Sequence, residues 1–202
     1  MKLHTNTKEV IFDQALSLFA RLGYNGTSIR DICSAVGIKE SSYYNHYAGK
    51  KDVLDAILKA CDEYFIKSIP SLEERKTLAE KFGFREMLHA IINRFIEMWT
   101  PYALSLWYVV HNEQYINPEA DRIVLAECQR RLSLVTATFD MAQEIGKMSA
   151  CNSHDVAILY VHSIRSQHHN YTISRLYESA DKMVAETMHL TSDMIADFYE
   201  MK

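Results

Sequence analysis

The side chains best suited to chemistry lie between Thr27 and Lys51, where polar and aromatic residues crowd into one short stretch. Their hydroxyl, amide, imidazole and carboxylate groups can contact the base edges and phosphates of nucleic acid. The candidates at helical spacing are Glu40, Ser41, Ser42, Tyr44, Asn45 and His46. The sequence therefore predicts a binding surface here.

Two short helices joined by a glycine turn would position these side chains. Apolar residues at helical spacing predict the first helix, whose inner face is Ile29, Ile32, Cys33 and Val36. Gly37 can adopt the left-handed backbone that ends a helix, and a second helix is expected from about Lys39 to Tyr47. This arrangement is typical of a helix-turn-helix.

Flanking segments complete a small helical core. A helix is expected to begin at Asn6, with Glu9 completing a capping box, and to end at Gly23. Gly49 breaks the chain after the polar stretch, and a longer helix is expected from Lys50 to about residue 68. Since this helix is continuous, it could transmit a tilt between the two parts of the chain.

Roughly the first fifty residues resemble the N-terminal DNA-binding domain of TetR-family transcriptional regulators. Residues 15–24 resemble the family's first helix and its glycine-aromatic end, and residues 27–32 resemble the start of its second helix. Residues 43–47 resemble the run on its recognition helix, and Lys50 lies where the family has a lysine at the start of helix four. Tyr43 and Tyr47 replace the family's usual Leu and Phe, and Lys39 with Glu40 is a further departure. Both tyrosines are interpreted as core residues.

The resemblance implies roles for individual side chains. Thr27 would cap the second helix and meet a phosphate, and Tyr44, His46 and Lys50 would contact phosphates. The major-groove candidates are Arg30, Glu40, Ser41, Ser42, Tyr44 and Asn45, with Ser28 and Lys39 completing the predicted DNA-binding set. Glu40 could accept from cytosine, but it could also repel DNA or pair with a lysine.

Composition favours an all-α protein without a membrane segment. Three prolines and six glycines in 202 residues leave little room for a large sheet. No apolar run approaches the length that crosses a bilayer, and the N-terminus lacks the apolar block of a signal peptide, so we expect a cytoplasmic protein. No cofactor is expected.

Charge and length indicate two domains, 1–50 for DNA binding and 51–202 for effector binding and dimerisation. Residues 1–52 hold seven Lys or Arg against five Asp or Glu, a net charge of +2. Since the whole chain carries a net charge of −4, the remaining residues carry −6. Beyond the linking helix, the periodicity predicts further helices over 75–99, 101–115, 118–148, 153–177 and 180–201.

Large flat side chains are concentrated in the middle of the chain, and most would be ordinary core. In TetR-like proteins the corresponding helices enclose an effector pocket, which implies a small apolar or aromatic effector. The candidate lining residues are Phe65, Met87, Ile91, Phe95, Met98, Trp99, Tyr102, Trp107, His111 and Tyr115. His111, Asn112 or Glu113 could supply a polar anchor.

The last two predicted helices carry more apolar surface than one small body can hide. Family resemblance implies that they pair across a two-fold axis in a homodimer. His162 and His169 lie two turns apart on one of these helices, close to His168, but this spacing does not favour a metal site, so no metal is predicted. A dimer seam is the preferred interpretation.

The four cysteines, Cys33, Cys61, Cys128 and Cys151, form no C-x-x-C pair. Buried reduced thiols are expected, with a redox sensor as the alternative.

The sequence as a whole predicts a ligand-responsive, DNA-binding homodimer that acts on a double-stranded operator, most simply as a repressor. Two alternatives are a helical ligand-binding module without operator binding and a small enzyme using His111, Glu113 or the His162 face. No Gly-rich phosphate loop, nucleophile elbow or H-E-x-x-H pair supports the enzyme.

Overall fold

A computed structural model describes the backbone of residues 6–66, 70–176 and 181–201, and their side chains apart from those of 66, 168–176 and 181–185. These residues form ten helices, which confirms the all-α prediction: α1 Thr7–Leu22, α2 Ile29–Val36, α3 Glu40–Tyr43, α4 Lys50–Ile66, α5 Leu72–Phe82, α6 Phe84–Glu97, α7 Pro101–Glu113, α8 Pro118–Glu144, α9 Ser153–Leu176 and α10 Asp181–Tyr199. An isolated bridge between Met148 and Glu200 is the one β pairing that they make.

The chain forms two compact units. The first contains Met1–Lys67 and Thr100–Ala126, and the second contains Ser68–Trp99 and Glu127–Lys202. The first unit extends past residue 50 because α4 and α7 both pack on α1 and on each other. The division into a DNA-binding domain at 1–50 and an effector domain at 51–202 stays a prediction.

The predicted N-cap of α1 at Asn6 is confirmed, since its side chain accepts a hydrogen bond from the backbone N–H of Lys8 at 3.1 Å. The predicted capping box is wrong: Glu9 accepts from the side-chain amide of Asn6 at 3.4 Å and not from its backbone N–H. Gly23 ends the helix as expected. Core residues of the first unit include Ile11, Phe19, Ile32, Leu54, Ile57 and Leu106. These apolar faces fix the orientation of α2 and α3, since neither short helix could be stable alone.

The predicted single helix over 75–99 is wrong. Gly83 lies at φ +99° and ψ 172°, so the helix ends there and a second helix begins at Phe84. A positive φ of this kind favours glycine. The break places the backbone N–H of Arg85 3.0 Å from the Glu200 carboxylate, a contact that an unbroken helix would not leave open.

In the second unit, α6 packs on both α5 and α10, and α9 packs on α10. Its core is built on Phe84, Met87, Leu88, Phe139, Tyr160 and Met188. No helix in the described part of the chain combines the length and hydropathy needed to cross a membrane.

Candidate nucleic-acid interface

The glycine turn between α2 and α3 has the predicted geometry. Gly37 adopts φ 76° and ψ 34°, and its N–H donates to the carbonyl of Cys33 at 2.9 Å. Ile38 donates to the same carbonyl at 3.0 Å. These two bonds close the end of α2 and set the direction in which α3 leaves.

Tyr43 and Tyr47 are core residues, as predicted. Both are buried, and the Tyr43 hydroxyl donates to the carbonyl of Gly49 at 3.0 Å. Tyr47 lies beside Tyr43 with ring centroids 6.0 Å apart. Burial raises the pKa of Tyr43 to about 12, because ionisation would place a charge in the core.

α3 is shorter than the predicted helix over 39–47. Regular α-helix ends at Tyr43, and the N–H of Asn45 bonds back to Ser42 at 3.3 Å in a tighter turn. Most of the predicted DNA-contacting side chains nevertheless lie exposed on this segment and on α2. The exposed ones are Ser28, Arg30, Lys39, Glu40, Ser41, Tyr44 and Asn45, while Ser42, His46 and Lys50 are half-buried.

The predicted cap of α2 is wrong. Thr27 is buried, and its hydroxyl donates to the carbonyl of Gly23 at 3.0 Å, so it ties the end of α1 to the loop. Ser28 is the cap instead: it accepts from the N–H of Asp31 at 3.1 Å, and the Asp31 carboxylate accepts from the Ser28 N–H at 2.8 Å. The pattern Ser-x-x-Asp before an apolar helix was the signal that could have identified this cap.

Asp31 therefore holds a negative charge at the N-terminus of α2, the end at which an anion is most stable. Hydrogen bonds from the Ser28 hydroxyl and N–H lower the pKa of Asp31. The same two Ser28 donors are thereby occupied, so a phosphate at this helix end would have to use the N–H groups that remain.

Lys50 is held by the loop between α1 and α2. Its ammonium donates to the carbonyls of Tyr24 at 2.7 Å and Thr27 at 2.8 Å. The same nitrogen lies 4.1 Å from the centroid of the Tyr24 ring, a cation–π contact. Lys50 thus fixes the loop that precedes α2 while carrying a positive charge at its surface.

These features share one surface groove. It is lined by residues of the α1–α2 loop, of α2 and of the starts of α3 and α4: Asn25, Gly26, Thr27, Ser28, Ile29, Arg30, Asp31, Glu40 and Lys50. Two cationic side chains, Arg30 and Lys50, line it together with two carboxylates, Asp31 and Glu40. Within the described part of the chain Glu40 makes no ion pair, which excludes pairing with a described lysine.

Glu113, at the end of α7, is a buried carboxyl in the same unit, with 7% of its surface exposed. Burial raises the pKa of Glu113, and the nearby charge of Lys50 opposes that shift. The sequence placed Glu113 among possible polar anchors for an effector. In the structure its electrostatic neighbours include Lys50 and Tyr24.

Glu113→Gln should flatten the dependence of stability on pH. Because the folded pKa of Glu113 is raised, its protonated form favours the folded state below pH 4.5, and this advantage is lost as pH rises through the folded value. We expect the glutamine variant to gain stability relative to the wild type as the pH rises from 4.5 toward neutrality. Thermal unfolding across this range would measure the effect. Glu119→Gln is a control of opposite sign, because hydrogen bonds from Arg122 lower the pKa of this exposed carboxylate.

The ten predicted effector residues divide equally between the two units. In the first unit, the rings of Phe65 and Trp107 meet edge to face at 5.2 Å, and Trp107 meets His111 at 4.4 Å. Tyr102 is partly exposed beside Tyr64, and Tyr115 is 85% exposed, a position that does not favour a pocket lining.

In the second unit, Phe95 and Trp99 meet edge to face at 5.6 Å, and Met87 is buried in the core. Ile91 lines an open groove between α5 and α6, and Met98 is half-buried. The effector set as a whole stays a prediction.

The remaining candidates for metal or redox chemistry gain no support. His162 is exposed on α9, and the side chains of His168 and His169 lie outside the described residues. No three described His, Cys, Asp or Glu side chains converge on a possible metal site. All four cysteines are free, and burial raises the pKa of Cys33, Cys128 and Cys151, which favours the inert thiol over the reactive thiolate.

The geometry defines a helix-turn-helix protein with a larger helical body, and comparison with known proteins agrees. Residues 11–57 match the family described as "Bacterial regulatory proteins, tetR family". IcaR of Staphylococcus aureus, the negative transcriptional regulator of the biofilm operon icaADBC, is 33% identical over 97 residues, which cover 46% of this chain and 51% of IcaR. The helix-turn-helix within residues 11–57 is therefore of the tetR type.

Solved structures support the fold over nearly the whole chain. The SmeT–triclosan complex, from Stenotrophomonas maltophilia, has a TM-score of 0.69 at 18% identity and covers 98% of this chain and 93% of SmeT. A transcriptional regulator from Saccharomonospora viridis in complex with choline has a TM-score of 0.66 at 20% identity, over 96% of this chain and 98% of that one. The chain spans about half the length of the curated relatives that it matches first.

Proposed function

We propose that this protein binds a double-stranded DNA operator as a homodimer and represses transcription in the cytoplasm until a small apolar or aromatic effector releases it. One observation carries the proposal: the helix-turn-helix is built on a closed glycine turn and a buried Tyr43, and it exposes a polar face on α2 and α3. The match of residues 11–57 to the tetR family supports it.

The DNA contacts follow from exposure and chemistry. Tyr44, His46 and Lys50 contact phosphates, which sets affinity and register without reading sequence. Arg30 can donate to guanine and Asn45 can pair with adenine, while Glu40 accepts from cytosine, with Ser41 and Ser42 alongside. Thr27 acts indirectly, because its hydroxyl is committed to the carbonyl of Gly23.

A stripe of exposed apolar side chains on α10 supports the dimer. Leu190, Met194 and Phe198 recur every four residues and are 57%, 55% and 78% exposed. Leu159 on α9 is also exposed. Since an isolated protein rarely leaves such a stripe in water, a second copy of this chain is the natural cover, and a two-fold dimer presents two recognition helices to a palindromic site.

The proposal of repression and of release by an effector is supported by the similar proteins. IcaR is named a negative regulator, SmeT was solved with triclosan, and the S. viridis protein was solved with choline. In this protein an effector would favour a state that no longer fits adjacent major grooves. A coupling of about 1–3 kcal/mol would weaken DNA binding roughly 5- to 150-fold.

DNA binding by the purified chain is the deciding experiment. Fluorescence anisotropy would compare duplex DNA from immediately upstream of the coding region with a scrambled duplex of equal composition, at several salt concentrations. Tight, salt-sensitive binding to the upstream duplex alone is expected. Absence of binding to both duplexes at low salt would favour the two alternatives, a ligand-binding module or an enzyme, although the related proteins named above are regulators.

Met194→Lys should separate the dimer. The change places a charge in the centre of the α10 stripe, where pairing would bury it without a partner. We expect sedimentation velocity to show monomers, and operator affinity to fall at least about tenfold because one half-site contact is lost. Phe82→Lys, at an exposed phenylalanine in α5, is the control and should leave the dimer intact.

Glu40→Gln tests the reading of bases. The carboxylate disfavours all DNA by repulsion but can favour cytosine specifically. We therefore expect the variant to bind scrambled DNA more tightly and to lose about tenfold in the ratio of specific to non-specific affinity. An unchanged ratio with uniformly tighter binding would mean that Glu40 only repels DNA.

A further inference from the structure

Arg75 is a buried cation without an anionic partner. It lies in α5, and 5% of its surface is exposed. Its Nε donates to the carbonyl of Ser71 at 3.3 Å, and its Nη1 donates to the carbonyl of Leu134 at 2.8 Å and to the Thr138 hydroxyl. All three acceptors are neutral, so the charge of the guanidinium is not balanced by these bonds.

No carboxylate in the described part of the chain pairs with Arg75. The nearest one along α5, Glu74, accepts from the backbone N–H of Ser71 at 2.7 Å and pairs with Arg94 at 3.7 Å. The Nη2 group of Arg75 makes no hydrogen bond to a described residue. Burial alone lowers the pKa of Arg75, as expected for a cation with no nearby anion, yet an arginine remains charged at neutral pH.

Two of the three acceptors of Arg75, on Leu134 and Thr138, belong to a single stripe of α8. Glu127, Arg131, Leu134 and Thr138 recur at one-turn intervals, so they face the same side of that helix. Arg131 pairs with Glu127, which is buried, and its guanidinium lies 4.5 Å from the centroid of the Phe95 ring.

This stripe therefore contacts an aromatic surface, through Arg131 and Phe95, and the unbalanced positive charge of Arg75, through Leu134 and Thr138. Phe95 and Trp99, both predicted effector residues, supply the aromatic surface. The carboxylate of Glu127 neutralises the charge of Arg131, but it does not neutralise the charge of Arg75. Unpaired buried charges are costly, so a site of this kind suits an anion that arrives with a ligand.

We propose that the unit containing Arg75 binds a small organic carboxylate, with Arg75 as the residue that anchors its charge and the Phe95 region as contact for its apolar body. The inference rests on the proposed function in that it names the chemical class of the effector. A carboxylate would donate no proton and form no covalent bond: it would accept hydrogen bonds from Nη2 and neutralise the guanidinium.

Octanoate and octanamide are a matched pair of probes, equal in chain length and different in charge. Isothermal titration calorimetry on the full chain should show octanoate binding at least about tenfold more tightly than octanamide, the range that a charge-assisted hydrogen bond supplies. Arg75→Gln should abolish this preference by weakening octanoate binding at least about tenfold and leaving octanamide unchanged. Arg94→Gln, at an exposed arginine in the same unit, should leave both affinities unchanged.

Equal binding of the two probes to the wild type, or no binding of octanoate, would overturn the proposal even if Arg75→Gln failed to fold. Equal loss in Arg75→Gln and Arg94→Gln would overturn it as well, because a general charge effect would then suffice. Operator binding is measured separately on the same preparation. A protein that binds octanoate through Arg75 but binds no DNA would refute the regulator and not the anion site.

Discussion

Tyr43→Ala should destabilise the protein by about 3–5 kcal/mol, the range found for removing a large aromatic side chain from a core. The Tyr43 ring is fully buried, packs edge to face on Tyr44 at 5.6 Å, and its hydroxyl donates to Gly49 at 3.0 Å. Its removal leaves a cavity beneath α3 and frees the carbonyl that precedes α4. Thermal unfolding should show a fall of about 10 °C or more in the midpoint.

Two variants separate packing from the hydroxyl and from the surface. Tyr43→Phe keeps the ring and removes one hydrogen bond, so a loss of about 1 kcal/mol is expected. Tyr44→Ala removes the adjacent, exposed tyrosine and should change stability by less than about 1 kcal/mol while weakening DNA binding. A small effect of Tyr43→Ala, comparable with that of Tyr44→Ala, would mean that Tyr43 does not support the core of the helix-turn-helix.

Lys50→Met should weaken binding to every DNA sequence at least about tenfold and reduce the salt dependence by about one phosphate contact. Methionine keeps the apolar stem and removes the ammonium, which holds the carbonyls of Tyr24 and Thr27 and supplies positive charge to the groove. Two effects then act together: the loop before α2 loses its tie, and the phosphate site loses its charge. Anisotropy titrations at several salt concentrations measure both affinity and slope.

Lys51→Met is the matched control for this change. Lys51 is the next residue along α4, carries the same charge, and pairs with Asp55 at 2.6 Å on an exposed surface. The hydrogen bond to Asp55 raises the pKa of Lys51, so the Asp55 carboxylate already partly balances the charge of Lys51. If Lys50→Met and Lys51→Met weakened DNA binding equally, the general loss of one positive charge would explain both, and the specific role of Lys50 would be refuted.

The predictions for Tyr43 and Lys50 concern the same packed region around the helix-turn-helix. Tyr43 supports α3 from beneath, and Lys50 ties the start of α4 to the loop before α2. Glu113 brings the end of α7 close to the same cation, so a change in α7 could reach the DNA-binding surface through electrostatics and packing inside the first unit. Coupling of effector to operator would then require a shift of α7 or α4, both of which pack on α1.

The sequence by itself determined the helices that have strong local signals. Helical periodicity, Gly23, Gly37 and the capping pattern at Asn6 depend on neighbours within a few residues, so α1, α2 and α4 were predicted with nearly correct ends. The burial of Tyr43 and Tyr47 was also predictable, because large aromatic side chains at the inner positions of a short helix must find a core.

Only the tertiary structure decided which partner each polar group takes. Thr27 and Ser28 are adjacent and chemically alike, yet Thr27 bonds to Gly23 and Ser28 caps α2, since the burial of one and the exposure of the other depend on α1. Gly83 interrupts an apolar pattern that predicts one continuous helix. The break at its positive φ is accompanied by a hydrogen bond between the Arg85 N–H and Glu200, two residues far apart in sequence.

The pairing of buried charges was likewise not predictable from the sequence. Arg75 reads as an ordinary surface residue of an amphipathic helix, and its lack of a carboxylate partner emerges only when Leu134 and Thr138 are brought against it. Glu113 similarly became a neighbour of Lys50 through the packing of α7 on α1 and α4. Sequence periodicity fixes which face of a helix turns inward, but the identity of the groups that meet there is set by contacts between distant segments.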